Sequence, residues 1–190
     1  MSKIVIPFYT ASGHTRCLAE AVLWGVKTIS SDACLIDISK LDSNSWKLIE
    51  QTDGIIFGSP TFMGGVAGQF KLFLDEFSYR GLWTEQKLVD KVAAGFTVAT
   101  YPSGDKLNTI IQLSIFAAQF GMVWVNNCGL GRKVSKTKHE NNEWGAWLGL
   151  MATSVPDKSK LISDTDIKCA EQFGIRFAKS VGRWLKGAAK

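Results

Sequence analysis

Hydroxyl side chains crowd one short segment near the start of the chain. Thr10, Ser12 and Thr15 lie there, between an apolar run over residues 4–9 that predicts a buried strand and a pattern of apolar residues at helical spacing. Where a strand runs through a polar loop into the first turn of a helix, unpaired backbone amides point outward and the helix dipole favours negative charge. The segment therefore predicts an anion site suited to a phosphate group.

The expected phosphate does not belong to a nucleoside triphosphate or a dinucleotide. The segment lacks both the Gly-Lys-Ser/Thr sequence and the three spaced glycines that those two motifs require. A cradle of hydroxyls and amides without a lysine suits the terminal phosphate of a mononucleotide such as FMN. The alternative is an ordinary turn whose Ser or Thr only caps the helix, and this segment alone does not decide between the two.

Two further loops contain residue types that hold flat rings. Residues 58–69 combine a rigid proline, an aromatic ring, a thioether and several glycines, and residues 100–105 add a second proline turn with a tyrosine. Each loop alone is compatible with a plain connection between a strand and a helix. If both follow strands of one parallel sheet, they meet the hydroxyl loop at the edge where such sheets bind ligands.

Apolar runs that predict strands alternate with helical patterns along the chain. Strands are expected at residues 4–9, 34–38, 54–58, 92–99 and 122–125. The alternation predicts an α/β fold: a five-stranded parallel sheet in the order 2-1-3-4-5 with helices on both faces. The predicted helical faces are Leu18, Val22, Val26 and Ile29; Phe70, Phe73, Leu74 and Phe77; Leu107, Ile111, Ile115 and Ala118; and Ile167, Ala170, Phe173, Phe177 and Val181.

No repeat or low-complexity linker divides the chain, so residues 1–190 are expected to form a single domain. One long loop is predicted at about residues 126–163. It carries Trp144 and Trp147, which make it too apolar to be left in water. We expect it to fold over the domain, over the cofactor or against a neighbouring subunit.

Composition narrows the function classes. The net charge is +5, but the basic residues do not cluster strongly, so no nucleic-acid partner is expected. The chain has no apolar run long enough to span a bilayer and no signal peptide, which predicts a cytoplasmic protein without a membrane partner. Two histidines and scattered cysteines predict no metal site, and the thiols are expected to be reduced and buried: Cys17, Cys34, Cys128 and Cys169.

Two stretches of the sequence resemble a known family. Residues 8–15 (Phe-Tyr-Thr-Ala-Ser-Gly-His-Thr) are similar to the flavodoxin phosphate-loop signature. Residues 58–61 and 67–75 resemble the second loop of the WrbA-like NAD(P)H:quinone oxidoreductases, which are related to the NADPH-dependent FMN reductases. The resemblance covers residues 3–125 well. It implies a flavodoxin-like three-layer fold with non-covalently bound FMN.

The resemblance also implies which residues bind the cofactor. The phosphate would be held by Thr10, Ala11, Ser12, Gly13, His14 and Thr15. The isoalloxazine ring would be wrapped by Pro60, Thr61, Phe62, Met63 and Gly64. Its pyrimidine side would be covered by Thr100, Tyr101, Pro102, Ser103, Gly104 and Asp105.

The chain departs from the family pattern around the substrate pocket. Phe62 and Met63 stand where the family commonly has Arg and Phe, and Gln119-Phe120 replaces a His pair. Of the family's Gly-rich segment after the fourth strand, only Gly104 clearly persists. The phosphate site therefore transfers more directly than the choice of nicotinamide or acceptor.

The family implies an FMN-dependent enzyme that passes two electrons from NAD(P)H to quinones or similar acceptors. The flavin performs the hydride chemistry, so no side chain is assigned as catalytic. The family also implies a homo-oligomer, dimer or tetramer. The alternatives are a flavodoxin-like electron carrier, which a chain of charge +5 fits poorly because such carriers are acidic, or an FMN-binding regulator without turnover.

Overall fold

A computed structural model describes residues 2–129, 142–155 and 161–188 of the protein. Its centre is a parallel sheet in the order β2-β1-β3-β5-β6, in which β7 also pairs with β5 and the short β4 pairs antiparallel with β3. The strands are β1 (Ile4–Phe8), β2 (Ala33–Asp37), β3 (Gly54–Phe62), β4 (Gly65–Val66), β5 (Val92–Ala99), β6 (Val123–Trp124) and β7 (Leu150–Thr153). The helices are α1 (His14–Lys27), α2 (Ser43–Gln51), α3 (Gly68–Tyr79), α4 (Lys106–Gln119) and α5 (Asp164–Ala188).

The predicted fold class is confirmed. With the fifth position of the sheet shared by β6 and β7, the strand order is the expected 2-1-3-4-5. Helices α1 and α5 cover one face of the sheet, and α2, α3 and α4 cover the other. Strand order reverses at β1, so the loops that follow β1 and β3 emerge side by side.

The edge of the sheet differs from the prediction: two short strands form it instead of one. Instead of one strand over residues 122–125, β6 pairs with the start of β5 and β7 pairs with its end. The predicted loop over residues 126–163 therefore contains a strand, and a further bridge joins Ser154 to Ile162. The apolar run Leu148–Ala152 falls within the predicted loop because the strand expected at residues 122–125 already completes the edge of the predicted sheet.

The loop after β3 is shorter than the sequence predicts. Strand β3 continues through Phe62, so Pro60 and Thr61 are strand residues rather than loop residues. Only Met63 and Gly64 form the turn into β4. The strand can accommodate Pro60 because pairing with β1 ends at Gly58, so no ladder hydrogen bond is required from the proline nitrogen.

Helix α4 faces the core with the side opposite to the predicted one. Leu107, Ile111 and Ile115 are 54%, 37% and 55% exposed, and Ala118 is also exposed. The buried face carries Ile110, Leu113, Phe116 and Ala117. Both faces repeat apolar residues at helical spacing, so periodicity alone does not distinguish them.

Smaller differences concern α1, α2 and the cysteines. Helix α1 ends at Lys27, which leaves Ile29 outside it and half exposed. Helix α2 escaped prediction because it buries only Trp46 and Ile49. Only Cys169 of the four cysteines is buried as predicted; Cys17 and Cys34 are half-buried, and Cys128 is exposed in the connection that leaves the sheet after β6. Within the described ranges, none of the helices combines the length and apolar character needed to cross a bilayer.

Candidate functional site

A cleft of about 150 Å³ opens at the carboxyl edge of the sheet, where the loops after β1, β3 and β5 converge. Most predicted phosphate-loop residues and the end of β3 line it, which brings two separate sequence motifs into one site. Its walls are Thr10, Ala11, Ser12, His14, Thr15, Pro60, Thr61, Phe62, Val98, Ala99, Thr100 and Ser154.

The remaining predicted residues lie behind or beside this cleft. Gly13 supports the first loop, and Met63 and Gly64 form the turn beyond Phe62. Of the loop after β5, Thr100 lines the cleft, and Tyr101 and Gly104 line neither this cleft nor its neighbour. Its Pro102, Ser103 and Asp105 instead line a neighbouring hollow of about 490 Å³, together with Lys106 and Trp144.

The first loop is shaped for an anion. Gly13 has φ +95°, a left-handed conformation that favours glycine, and its N–H donates to Thr10 Oγ1 at 3.0 Å. The backbone N–H groups of Ala11, Ser12 and Thr15 have no acceptor among the described residues. Thr10 Oγ1 is already an acceptor, so its own proton is free for a ligand. The loop thus offers unpaired donors at the start of α1.

Two side chains complete the first wall of the cleft. Ser12 Oγ lies 2.8 Å from His14 Nδ1, and Thr15 is almost fully buried beneath the loop. The nearest cation is engaged elsewhere, because the Arg16 guanidinium donates to Asp37 Oδ2 at 2.6 Å. The anion would therefore be held by neutral donors, as the absence of a lysine from the sequence predicts.

Hydroxyl contacts fix the end of β3 in place. Thr61 Oγ1 lies 2.8 Å from Thr97 Oγ1 and 2.7 Å from Thr109 Oγ1, and both of those threonines are fully buried. Asn108 Nδ2 donates to the Gly64 carbonyl at 2.5 Å and ties the turn to α4. The second wall is consequently held by side chains of β5 and α4.

Strained backbone marks two of the loops. Met63 has φ +45° and Asp105 has φ +53°, left-handed values that are costly for residues with a side chain. Each lies beside a glycine of positive φ, Gly64 and Gly104. Strain of this kind collects at functional sites, where the surrounding structure enforces it.

Exposed apolar side chains line the cleft or directly follow its lining residues in the chain. Phe62 is about half exposed, Tyr101 is mostly exposed and Met63 is fully exposed. The N–H groups of Tyr101, Ser103 and Gly104 find no acceptor in the described part of the chain. A flat ring at the mouth would meet apolar surface from one loop and amide donors from the other.

The structure adds one polar residue that the sequence does not predict. Ser154 directly follows β7, and its backbone N–H donates to the Ala99 carbonyl at 3.0 Å. It lines the cleft because β7 extends the sheet beside β5. In the sequence, the apolar run before Ser154 is the signal for this strand, which ends at the same edge of the sheet as β1, β3 and β5.

Larger hollows lie elsewhere on the surface. One of about 440 Å³ runs between α3 and α4, lined in part by Trp83, Ile115 and Phe120. It is lined mainly by side chains of α3 and α4 rather than by loops that follow strands. The smaller cleft is the candidate site because its position at the carboxyl edge of the sheet and its unpaired backbone donors agree.

Comparisons with known proteins agree with this geometry. The family described as NADPH-dependent FMN reductase matches residues 39–133. Flavodoxin FldP of Pseudomonas aeruginosa is 31% identical over 191 residues, covering 97% of this chain and 99% of that protein. An NAD(P)H dehydrogenase (quinone) of Aromatoleum aromaticum is 27% identical over 212 residues, covering 98% and 99%.

A solved structure carries the same likeness over the whole chain. It is that of the flavodoxin, WrbA-like protein from Agrobacterium tumefaciens, with a TM-score of 0.76 and 33% identity, covering 96% of this chain and 99% of that one. The family match and the relatives confirm the resemblance seen in residues 8–15 and 58–75. The chain belongs to the NADPH-dependent FMN reductase family and has its flavodoxin-like fold.

Proposed function

We propose that the protein is an FMN-dependent oxidoreductase that passes two electrons from NAD(P)H to quinones or similar small acceptors. The observation that carries this proposal is the cleft itself. It joins a hydroxyl-and-amide phosphate loop to apolar, amide-bearing loops at the carboxyl edge of the sheet, in a chain of the FMN reductase family.

The residues present fit FMN better than a dinucleotide. The N–H groups of Ala11, Ser12 and Thr15, with the hydroxyls of Thr10 and Ser12, would hold the phosphate. A cleft of about 150 Å³ is smaller than the roughly 300–1,000 Å³ of pockets that enclose a whole ligand. It would take the phosphate and part of the ribityl chain and leave the ring at the mouth, near Phe62 and Tyr101.

When bound, FMN supplies the hydride chemistry. The protein positions the ring and adjusts its electronics. The free N–H groups of Tyr101, Ser103 and Gly104 would donate to the pyrimidine edge of the ring and stabilise negative charge there. No side chain is required as an acid or base, so we assign no catalytic residue.

NAD(P)H and the acceptor would use the same exposed face of the ring in turn. Met63 and Tyr101 are exposed in the loops after β3 and β5 and would offer apolar surface to a nicotinamide or a quinone. Relatives named NAD(P)H dehydrogenase (quinone) support this pair of substrates. Phe62 and Met63 stand where the family commonly has Arg and Phe, so the family pattern does not fix the choice between NADH and NADPH. Comparing the rates of flavin reduction by the two nicotinamides determines that choice.

The protein is proposed to be a homo-oligomer of single-domain subunits. Leu107, Ile111 and Ile115 form an exposed apolar stripe on α4, and Trp83 is exposed nearby. A stripe of this kind on a chain of 20.9 kDa invites association. A single species near 21 kDa in light scattering at micromolar concentration would contradict this.

Residues 126–155 are proposed to contribute to the same assembly or to roof the flavin. Trp144 and Trp147 are both about half exposed, although the Trp144 indole also contacts its own domain.

A cytoplasmic location without nucleic-acid or membrane partners is proposed on the free thiols and the scattered charge. Residues 132–138, the densest basic stretch, lie outside the described residues.

A second candidate function is electron transfer between redox proteins. It is favoured by Flavodoxin FldP, a relative that matches almost the full chain. The net charge of +5 argues against it, because docking of such carriers depends on charge complementarity and those of this fold are acidic.

Flavin identity and turnover separate these candidates. The purified protein should contain FMN rather than FAD, and NADH or NADPH should be oxidised continuously when benzoquinone is added. Bound FMN without oxidation of either nicotinamide, but with reduction by a separate flavodoxin reductase, would establish the carrier. Bound FMN without either reaction would establish a binding protein. Stoichiometric FAD, or no affinity for added FMN, would overturn both candidates.

A further inference from the structure

A lysine and a carboxylate are buried behind the cleft. Lys106, the first residue of α4, is 1% exposed, and its Nζ donates to the Ala152 carbonyl at 3.0 Å and to Thr153 Oγ1 at 2.7 Å. Burial lowers the pKa of this ammonium group below its usual range. A buried ammonium group is costly unless it is hydrogen-bonded, and these two contacts bind it to the end of β7.

Asp166, in the first turn of α5, completes the cluster from the other side. It is 2% exposed, and its Oδ2 accepts from the Thr153 N–H at 3.1 Å. Its Oδ1 accepts from Trp144 Nε1 at 2.9 Å, and the Trp144 ring lies 5.6 Å from Lys106 Nζ. Lys106, Thr153, Asp166 and Trp144 thus form a closed ring of contacts that joins α4, β7, α5 and the segment before β7.

The cluster touches both segments that form the far wall of the cleft. Ser154, which lines the cleft, is the residue after Thr153. The N–H of Lys106 donates to the Ser103 carbonyl at 3.2 Å, within the loop after β5. Strand β7 pairs with β5 over four residues and its end is bridged to Ile162, and the Lys106 contacts tie that same end to α4.

Stability alone does not explain two buried charged side chains that are linked through Thr153. Replacing buried charges by apolar residues of similar volume is often neutral or stabilising, whereas polar clusters can define one geometry. The geometry defined here is the position of Ser154 relative to residues 100–105.

We propose that Lys106 is a positioning residue for FMN, acting through Thr153 and supported by Asp166. It holds the end of β7 and the loop after β5 in the arrangement that receives the cofactor. The proposal rests on FMN binding in the cleft as proposed above. It assigns to Lys106 no contact with the flavin.

The sharpest test removes one hydroxyl while keeping the shape of the side chain. Thr153→Val deletes the side-chain acceptor of Lys106 and leaves the Ala152 carbonyl, whereas Thr153→Ser keeps both acceptors. FMN dissociation constants of the apoproteins are measured by quenching of flavin fluorescence, with the free energy of unfolding of each apoprotein measured in urea. We expect Thr153→Val to raise the dissociation constant roughly tenfold, as follows if the binding-competent arrangement falls to about a tenth of the apoprotein, and Thr153→Ser to stay near wild type.

A matched lysine provides the control for Lys106 itself. Lys91 lies just before β5, at the opposite end of the sheet; burial lowers its pKa too, and its Nζ donates to the Glu50 carbonyl. Lys106→Met should weaken FMN binding, whereas Lys91→Met should not. A purely structural role would lower the unfolding free energy of both apoproteins and leave both dissociation constants unchanged.

The outcomes separate this proposal from the proposed function. If Thr153→Val and Thr153→Ser bind FMN equally well, the positioning role is wrong, even where Lys106→Met fails to fold. If Lys106→Met folds and binds as Lys91→Met does, the role is also wrong. If wild-type protein itself does not bind FMN, the proposed function fails first.

Discussion

Removal of Ser12 Oγ is the perturbation that probes the phosphate loop most cleanly. The Ser12 side chain is exposed and contacts only His14 within the described structure, at 2.8 Å, so Ser12→Ala should leave the fold intact. A hydrogen bond to a charged group contributes about 1.5–3 kcal/mol. The dissociation constant of FMN should therefore rise about 10- to 150-fold.

Thr10→Ala should have a larger effect with two components. Thr10 Oγ1 accepts from the Gly13 N–H at 3.0 Å and is also placed to donate to the phosphate. Its removal should cost about 1 kcal/mol of unfolding free energy as well as the loss of FMN affinity. The double variant Thr10→Ala/Ser12→Ala should lose about 3–6 kcal/mol of FMN binding if the two contributions add.

Riboflavin separates phosphate recognition from ring recognition in the same assay. It lacks the phosphate, so its affinity for apoprotein should be weak and should not change in either variant. Thr84→Ala is a matched control, because Thr84 Oγ1 donates to the Gly81 carbonyl far from the cleft. Equal losses for FMN and riboflavin, or no loss for FMN, would place the phosphate elsewhere and refute the assignment of this loop.

Three further predictions concern the scaffold. Gly25→Ala should destabilise the protein by about 1–3 kcal/mol, because a Cβ there would lie 2.0 Å from the Glu171 carbonyl oxygen. Gly182 has open space around it, so Gly182→Ala should stabilise α5 by about 0.5–1 kcal/mol, as measured by urea unfolding. Phe77→Ala, in the aromatic cluster under α3, should cost about 3–5 kcal/mol in the same measurement. Burial raises the pKa of Cys169 from 9.0 to about 11. The neutral thiol therefore favours the folded state below pH 9.0, and that contribution is lost as the pH rises towards about 11. Cys169→Ala should flatten the dependence of the unfolding free energy on pH in this range.

The strand, loop and helix at the proposed phosphate site and the order of the sheet were accessible from the sequence because they depend on local pattern. Residues 4–15 place strand, loop and helix in succession, and the parallel order follows from the alternation of elements. The loop after β5 was placed correctly in the chain. Its orientation was not predictable, since Pro102 and Asp105 face the neighbouring hollow rather than the cleft.

Features that depend on tertiary context escaped the sequence. Helix α4 carries apolar residues on two faces, and only packing against the sheet selects Ile110 and Leu113 over Leu107 and Ile115. The split edge strand joins segments far apart in the chain, so Ser154 reached the site without any local motif. The pair formed by Lys106 and Asp166 likewise became visible only through their shared contact with Thr153.

Anaerobic mixing of the FMN-loaded protein with NADH or NADPH tests the central claim most directly. At least one of the two nicotinamides should bleach the visible flavin absorbance completely, at a rate that saturates with nicotinamide concentration. Benzoquinone added afterwards should restore this absorbance in a single turnover. Flavin that stays oxidised with both nicotinamides, in protein that binds FMN stoichiometrically, would contradict the assignment of this protein as an NAD(P)H oxidoreductase.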